Sequence, residues 1–242
     1  MPRYFLADQL TEDGFTVAGE EARHLTRVLR KAEGDRVTLA DGKGRFYQGI
    51  ITRMLPEAVE GRITAVIEQM VEATTRILLC QALPKGDKMD EIIRKGTEIG
   101  VAGFLPFLSE RCVARPDAAA IRKRQERWQR IAEEASKQAG RSEIPQVYGL
   151  SDWEGVRAAC AGRFTILAYE AETKQGLAQV LQGQAPEQVA IVIGPEGGFA
   201  PTEVQAAVAA GMHPVSLGPR ILRTETAGPV LAALVLYELG DM

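Results

Sequence analysis

Three unbroken apolar runs limit what this chain can fold into: Ile77-Leu78-Leu79-Cys80, Phe164–Tyr169 and Val189–Ile193. A strand with one face in water alternates apolar and polar residues. An unbroken run is the mark of a strand covered on both faces. Helical patterns separate the runs. Asp87 can cap a helix whose apolar face is Met89, Ile92, Ile93 and Ile99 and which ends at Gly100. Asp117 can cap a longer one with Ile121, Trp128, Ile131 and Ala135 inward, ending at Gly140. Pro201 suits a first helical turn, and its helix stops at Gly211. Strands alternating with helices in this way predict an α/β domain with a parallel sheet.

Before Thr75 the pattern is different. Arg3–Leu6, Arg36–Ala40, Gly44–Arg53 and Arg62–Val71 are short, rich in β-branched and aromatic residues, and broken by Asp41-Gly42 and Pro56. Glu20–Lys31 reads as one helix with Ala22, Leu25, Val28 and Leu29 as its apolar stripe. Short strands closed on one another suggest a small β-barrel. A domain of about 70 residues buries only about 60% of its unfolded surface, so it needs a neighbour. The expected domains are residues 1–72 and 73–242.

Composition narrows the function. With 25% charged residues and a net charge of -3, the chain has no global attraction for nucleic acid, so any such affinity must come from local patches. Three cysteines, Cys80, Cys112 and Cys160, lie far apart and lack zinc-ligand spacing, which suits reduced thiols. Two histidines, His24 and His213, are too few for a multi-histidine metal site or a His-dependent hydrolase, and no metal is expected. His24 is expected at the surface and His213 in a structural role. The amino-terminal residues lack the apolar core of a signal peptide, and the longest apolar stretch, near Val230–Leu236, is far short of the ~20 residues that span a bilayer. The reading is a soluble, cytoplasmic protein without a membrane partner.

Two loops carry the candidate chemistry. Gly194-Pro195-Glu196-Gly197-Gly198 follows a buried strand directly and precedes the Pro201 helix. Glycines there let backbone amides approach a ligand at the carboxyl edge of the sheet. The loop lacks the Lys-Ser/Thr of a phosphate-cradling loop, and no dinucleotide fingerprint exists elsewhere. The second loop runs from Val215 to Ala227 and sets Arg220 and Arg223 with Glu225 around the apolar pair Ile221-Leu222. Pro229 cannot lie deep inside a helix, so the last helix is expected to start between Thr226 and Gly228, or to kink there. Two basic clusters add a phosphate-binding potential: Arg23, Arg27 and Arg30 at i, i+4 and i+7 with His24 and Lys31 beside them, and Arg122, Lys123, Arg124, Arg127 and Arg130 on the Asp117 helix.

These segments, taken together and in order, resemble the family of 16S ribosomal RNA uracil-N3 methyltransferases. The matching residues are Ile193–Phe199 and Leu217–Ala227, with Pro84–Asp90, Lys95–Val101, Ser109-Glu110-Arg111, Glu134–Gln138 and His24–Arg30 upstream. The resemblance implies a PUA-like β-barrel that helps hold RNA, followed by a SPOUT methyltransferase domain with a C-terminal trefoil knot. S-adenosyl-L-methionine (SAM) would lie in the knot, and two chains would pair as a homodimer. Carried over by position, the cofactor residues are Leu167, Ala168, Tyr169, Glu170, Gly194, Pro195, Glu196, Gly197, Gly198, Ser216, Leu217, Gly218, Ile221, Leu222 and Thr226. Lys88, Arg111 and Arg141 join Arg23, His24, Arg27, Arg30, Lys31, Arg122, Arg124 and Arg127 as RNA-facing side chains. Two departures from the family are visible. Ala200 stands where a capping Ser is usual, with Thr202 as a substitute cap, and Gly228-Pro229 interrupts the start of the last helix.

The implied reaction is methylation of N3 of a specific uridine in 16S rRNA of the small ribosomal subunit. Arg220 and Arg223 suit stabilisation of the developing imide charge, and Glu225 and Glu196 suit orienting those arginines or accepting the proton. The alternatives are a SPOUT enzyme acting on another RNA nucleotide and a non-catalytic ribosome-assembly protein that binds RNA.

Overall fold

The structure, a computed structural model, describes residues 4–67, 72–173 and 175–242. It divides into two compact units, residues 1–72 with 136–144 and residues 73–135 with 145–242. The division expected from sequence put residues 136–144 in the second domain. Their bonds explain the grouping with the first: Gly44 N–H donates to the Ser142 carbonyl, Ile144 N–H donates to Gly42, and the Glu72 carboxylate accepts from Arg141 and from the Ser142 and Glu143 amides.

In the first unit, strands β1 (Phe5–Leu6), β2 (Gln9–Leu10), β3 (Gly14–Ala18), β4 (Arg36–Ala40), β5 (Phe46–Met54) and β6 (Ala58–Ile67) form one sheet in the order β1-β4-β5-β6-β3-β2. Its two edge strands, β1 and β2, are separated in sequence only by Ala7 and Asp8. Six flat strands would put those edges about 24 Å apart, whereas three Cα steps reach about 11 Å at most. The sheet must therefore curl into a barrel. Register shifts between β5 and β6, with Thr52 and Thr64 as the extra residues, and close-packed glycines permit it: a Cβ on Gly61 would fall 2.3 Å from the Phe15 ring. Phe15, Val17, Leu25, Leu39, Ile51 and Val59 fill the interior. β2, of two residues, is too short to read from sequence, and β3, which alternates buried Phe15 and Val17 with half-buried neighbours, lies outside the strands expected from sequence. The end of the expected Arg62–Val71 strand lies partly outside the described residues.

The Glu20–Lys31 helix is corrected. Helix α1 spans only Gly19–Arg23, and the chain then widens into a π-helical turn at His24–Val28. The wider turn keeps Leu25 buried and Leu29 against the barrel core, while Val28 is turned out to 60% exposure. Arg30 follows with φ of 53°. Arg23, Arg27 and Arg30 are all exposed, but they do not line one helix face.

In the second unit, β7 (Arg76–Ala82), β8 (Gly103–Phe107), β9 (Gln146–Val147), β10 (Phe164–Ala168), β11 (Gln188–Ile193) and β12 (His213–Val215) form a parallel sheet in the order β12-β10-β11-β7-β8-β9. The three unbroken apolar runs are its neighbouring strands β10, β11 and β7. β8 was hidden by Pro106, which lies past Gly103 and Phe104, the residues that pair with β9. Helices α2 (Lys88–Ile99), α3 (Ala118–Ala139), α4 (Trp153–Cys160), α5 (Leu177–Leu181), α6 (Pro201–Ala209) and α7 (Thr224–Glu238) complete the unit. Asp117 caps α3 as expected, accepting from Ala120 N–H at 2.8 Å, whereas the Asp87 side chain makes no cap bond to α2.

One helix start and one helix cap are corrected. α7 begins at Thr224, ahead of the expected Thr226–Gly228, and carries Pro229 inside it. Tertiary bonds hold that start: the Thr224 hydroxyl donates to the Gly194 carbonyl at 2.7 Å and accepts from Gln81 Nε2 at 2.9 Å. At α6, Thr202 is not the substitute cap, since its hydroxyl bonds to Glu110. Glu203 reaches back instead and accepts the Ala200 N–H at 2.9 Å. None of the described helices is long and apolar enough to cross a membrane.

Candidate active site

Parallel strands end their carboxyl termini on one edge, and ligands of open α/β sheets bind there, where the strand order reverses. Here the chain leaves β7 towards β8 on one side and later returns to insert β11 on the other. The segments leaving β10, β11 and β12 enclose a cavity of about 950 Å³ at that edge. This lies within the ~300–1,000 Å³ usual for small-molecule sites.

The Gly194–Gly198 segment is a turn closed by Gly198 N–H donating to the Pro195 carbonyl at 2.9 Å. Gly198 has φ of 68°, and a Cβ there would fall 2.2 Å from Glu170 Oε1. The left-handed backbone favours glycine there, and a Cβ would also require the Glu170 side chain to move. Phe199 folds beneath the turn, its ring 5.7 Å from Trp153, and thereby anchors it. The Ser109-Glu110-Arg111 motif holds the other side. Buried Glu203 accepts from the Ser109 hydroxyl and Glu110 N–H, and the Arg111 guanidinium donates to the Gly197 carbonyl at 3.0 Å. The third wall is tied in by Tyr169 N–H donating to Val215 and by Ser216 N–H donating to Gln175.

Of the expected cofactor residues, Ala168, Tyr169, Glu170, Gly194, Pro195, Glu196, Gly197, Gly198, Ser216, Leu217, Gly218, Ile221 and Leu222 line the cavity. Leu167 is fully buried in β10 behind the wall, and Thr226 is exposed and outside the lining. Arg220, Arg223, Glu225 and Glu196 all line it. Ile221 is 88% exposed at its rim.

Sequence reasoning missed the cation at the centre. Lys88, expected to face RNA, sits in the cavity wall with Nζ 2.8 Å from Glu196 and 3.4 Å from Glu225. Arg223, by contrast, is 83% exposed and 3.9 Å from Glu225. The hydrogen bond to Glu196, then the two carboxylate charges, raise the Lys88 pKa above its ordinary value despite desolvation. Burial pushes the Glu196 carboxyl up, but the bonds from Lys88 and from backbone N–H groups, including that of Lys85, hold it below the ordinary value.

The remaining basic residues divide. Arg122 is exposed on α3 and Arg124 is half-buried there, while Arg127 on the same helix is paired with Asp90 and Asp87. Arg141, expected to face RNA, is buried at 4% exposure with its guanidinium on Glu72. Lys31 donates to the Arg36 carbonyl. His24 stands edge-on to Phe5 at 5.9 Å with a buried Nε2, so it packs on the barrel rather than facing outward. Among the described residues no cluster of three or more His, Cys, Asp or Glu side chains is arranged to hold a metal ion.

Comparison with known proteins gives the same family for both units. The profile described as RNA methyltransferase domain matches residues 71–236, and that of the RNA methyltransferase PUA domain matches residues 17–64. Ribosomal RNA small subunit methyltransferase E of Bacillus subtilis is 32% identical over 98% of this chain and 97% of its own. The protein of that name from Synechocystis is 34% identical, covering 94% and 74%. The crystal structure of the Neisseria gonorrhoeae ribosomal RNA small subunit methyltransferase E bound to S-adenosyl methionine is similar with a TM-score of 0.86, at 30% identity, over 98% of this chain and 97% of that one. The chain that folds into this barrel and this parallel sheet with its three loops thus belongs to the RNA methyltransferase family.

Proposed function

We propose that this protein methylates N3 of a specific uridine in 16S rRNA of the small ribosomal subunit, with SAM as methyl donor. The single observation behind this reading is the cavity itself, which gathers thirteen of the fifteen cofactor residues assigned from sequence resemblance at one sheet edge. The residues fit the cofactor. Gly197 and Gly198 keep one wall free of side chains, and Leu217, Ile221 and Leu222 supply apolar cover. The names of the relatives support ribosomal RNA of the small subunit as substrate.

When bound, SAM supplies an already activated methyl group. The chain must hold the base in line and accept its N3 proton. Glu225, 14% exposed in its side chain and adjacent to Lys88, and Glu196 are the carboxylates placed for that role. Arg220 and Arg223, at the cavity mouth, suit the developing imide charge or a flanking phosphate. The exposed arginines Arg23, Arg27, Arg30 and Arg122 suit rRNA phosphates. The same reading carries a trefoil knot. It also carries a homodimer working in the cytoplasm, with apolar Leu234 and Tyr237 exposed on α7 for a second copy to cover.

Calorimetry with SAM tests the cofactor half directly. Saturable one-site binding is expected. No heat of binding at millimolar SAM favours a non-catalytic RNA-binding protein.

A further inference from the structure

Two cysteines that are distant in sequence meet inside the second unit. Side chains alternate along a strand, so Cys80 shares one face of β7 with Leu78 and Ala82. Leu79 and Gln81 point the other way, to Gly228 and Thr224 of α7. On the face away from α7, the Cys80 thiol is in hydrogen-bond contact with that of Cys160, the last residue of α4. Both cysteines are free thiols. They differ in access. Cys80 is fully buried, whereas Cys160 lines a second cavity, of about 380 Å³, with Glu154, Arg157, Arg163, Thr165 and Met212. Arg163, Thr165 and Met212 place this cavity at the amino ends of β10 and β12, the edge opposite the candidate active site.

We infer that Cys160 is an oxidisable nucleophile facing this cavity and that Cys80 is its resolving partner, so that a hydroperoxide entering the cavity converts the pair into a disulfide. With hydrogen peroxide the steps balance as follows. The Cys160 thiolate attacks one peroxide oxygen and the O–O bond breaks. The departing hydroxide takes a solvent proton and becomes water, leaving Cys160 as a sulfenic acid. The Cys80 sulfur then attacks the Cys160 sulfur, the S–O bond breaks, and the hydroxyl leaves as water with the Cys80 proton. Two thiols lose two electrons in all, and one peroxide is reduced to water. The two sulfurs already touch and need to close to about 2.05 Å.

The surroundings make Cys160 the attacking member of the pair, since the thiolate and not the thiol is the nucleophile. The charged groups lining the cavity are Arg157 and Arg163 against Glu154, so cations prevail there. Arg163 is held in place by donating to the Ala159 carbonyl at 2.6 Å. The bond from the Cys80 thiol, the Thr165 hydroxyl and the Arg163 charge together bring the Cys160 thiol below its ordinary value, against the effect of burial. The same bond, burial and the nearby Cys160 charge push Cys80 well up, so it keeps its proton until the second step. Cys112 is a built-in control. Its exposure is 6% against 5% for Cys160, but it lines neither cavity, and burial pushes its thiol up. This chemistry belongs to the opposite sheet edge and is independent of the methyltransferase reading.

The test treats the folded full-length protein with hydrogen peroxide, blocks remaining thiols with iodoacetamide, and maps the peptides by mass spectrometry. Wild type is expected to give a peptide linking Cys80 to Cys160, reversed by dithiothreitol, while Cys112 stays reduced. Without peroxide, iodoacetamide should modify Cys160 at least about tenfold faster than Cys112 at neutral pH. In Cys80→Ser the oxidation should stop at a Cys160 sulfenic acid, which a 1,3-dione traps. In Cys160→Ser, Cys80 should stay reduced, and Arg163→Gln should slow the Cys160 reaction. The wild-type result alone can overturn the inference, whatever the variants do. It fails if Cys112 reacts as fast as Cys160, or if the linked peptide forms only once urea has unfolded the chain.

Discussion

Gly198 illustrates how single residues set the site. Its backbone is left-handed, and the space above it is taken by Glu170. Any Cβ costs about 1–2 kcal/mol in backbone strain before the clash is counted. Gly198→Ala is therefore expected to weaken SAM binding at least tenfold in calorimetry while changing the melting temperature little. A second residue-scale device lies far from the cavity. The Asp241 carboxyl would be raised by burial, but hydrogen bonds from the side chains and backbone N–H groups of Thr74 and Thr75 bring it down to about 2. A lowered carboxyl pKa stabilises the fold above its unfolded value of 3.8, and the contribution is lost as pH falls through about 2. Asp241→Asn should cost about 1 kcal/mol at neutral pH, discounted for partial exposure, and the deficit should vanish near pH 2. Urea titrations at the two pH values measure it. At this scale the sequence disclosed the loop residues through their motif. It hid Lys88, because nothing local to Pro84–Asp90 tells that residues 196 and 225 will meet it.

Elements were legible where their own periodicity decided them. β7, β10 and β11 stand where the apolar runs placed them, α2, α3 and α6 end at their glycine stops, and α3 has its expected Asp117 cap. The failures occurred where distant contacts overrode local preference. α1 widened to keep Leu25 and Leu29 on the barrel core, and α7 started early because Thr224 is bonded to Gln81 and Gly194, which lie 143 and 30 residues away in sequence. The cost of Pro229 in α7 is offset by that anchoring together with burial of Gly228 and Pro229 themselves. Thr224→Val keeps the shape but removes both hydrogen bonds, leaving the Gly194 carbonyl and Gln81 without that partner. A loss of about 1–3 kcal/mol is expected, with hydrogen exchange rising first at the amino end of α7. Unchanged exchange there would show that the helix start does not depend on this anchor.

For the whole molecule, net charge of -3 with two basic clusters predicts RNA binding that is local and salt-sensitive. Replacing Arg122, Arg124 and Arg130 with Gln should lower the slope of log affinity against log salt by about 0.7 for each phosphate no longer neutralised, with SAM affinity unchanged. Arg141 should not be included in such a set: it is buried on Glu72, and its removal would act through stability. The two-part architecture could be read from the change of strand pattern near Thr75, whereas the assignment of residues 136–144 to the first unit could not, since it depends on Glu72 and on Gly42–Gly44. The central claim is that three loops at one sheet edge make a site that methylates uracil N3. The most direct measurement is mass mapping of small-subunit rRNA incubated with this protein and isotopically labelled SAM. One labelled methyl group on N3 of a single uridine is the predicted result; label on a ribose hydroxyl or another base, or none, would contradict it.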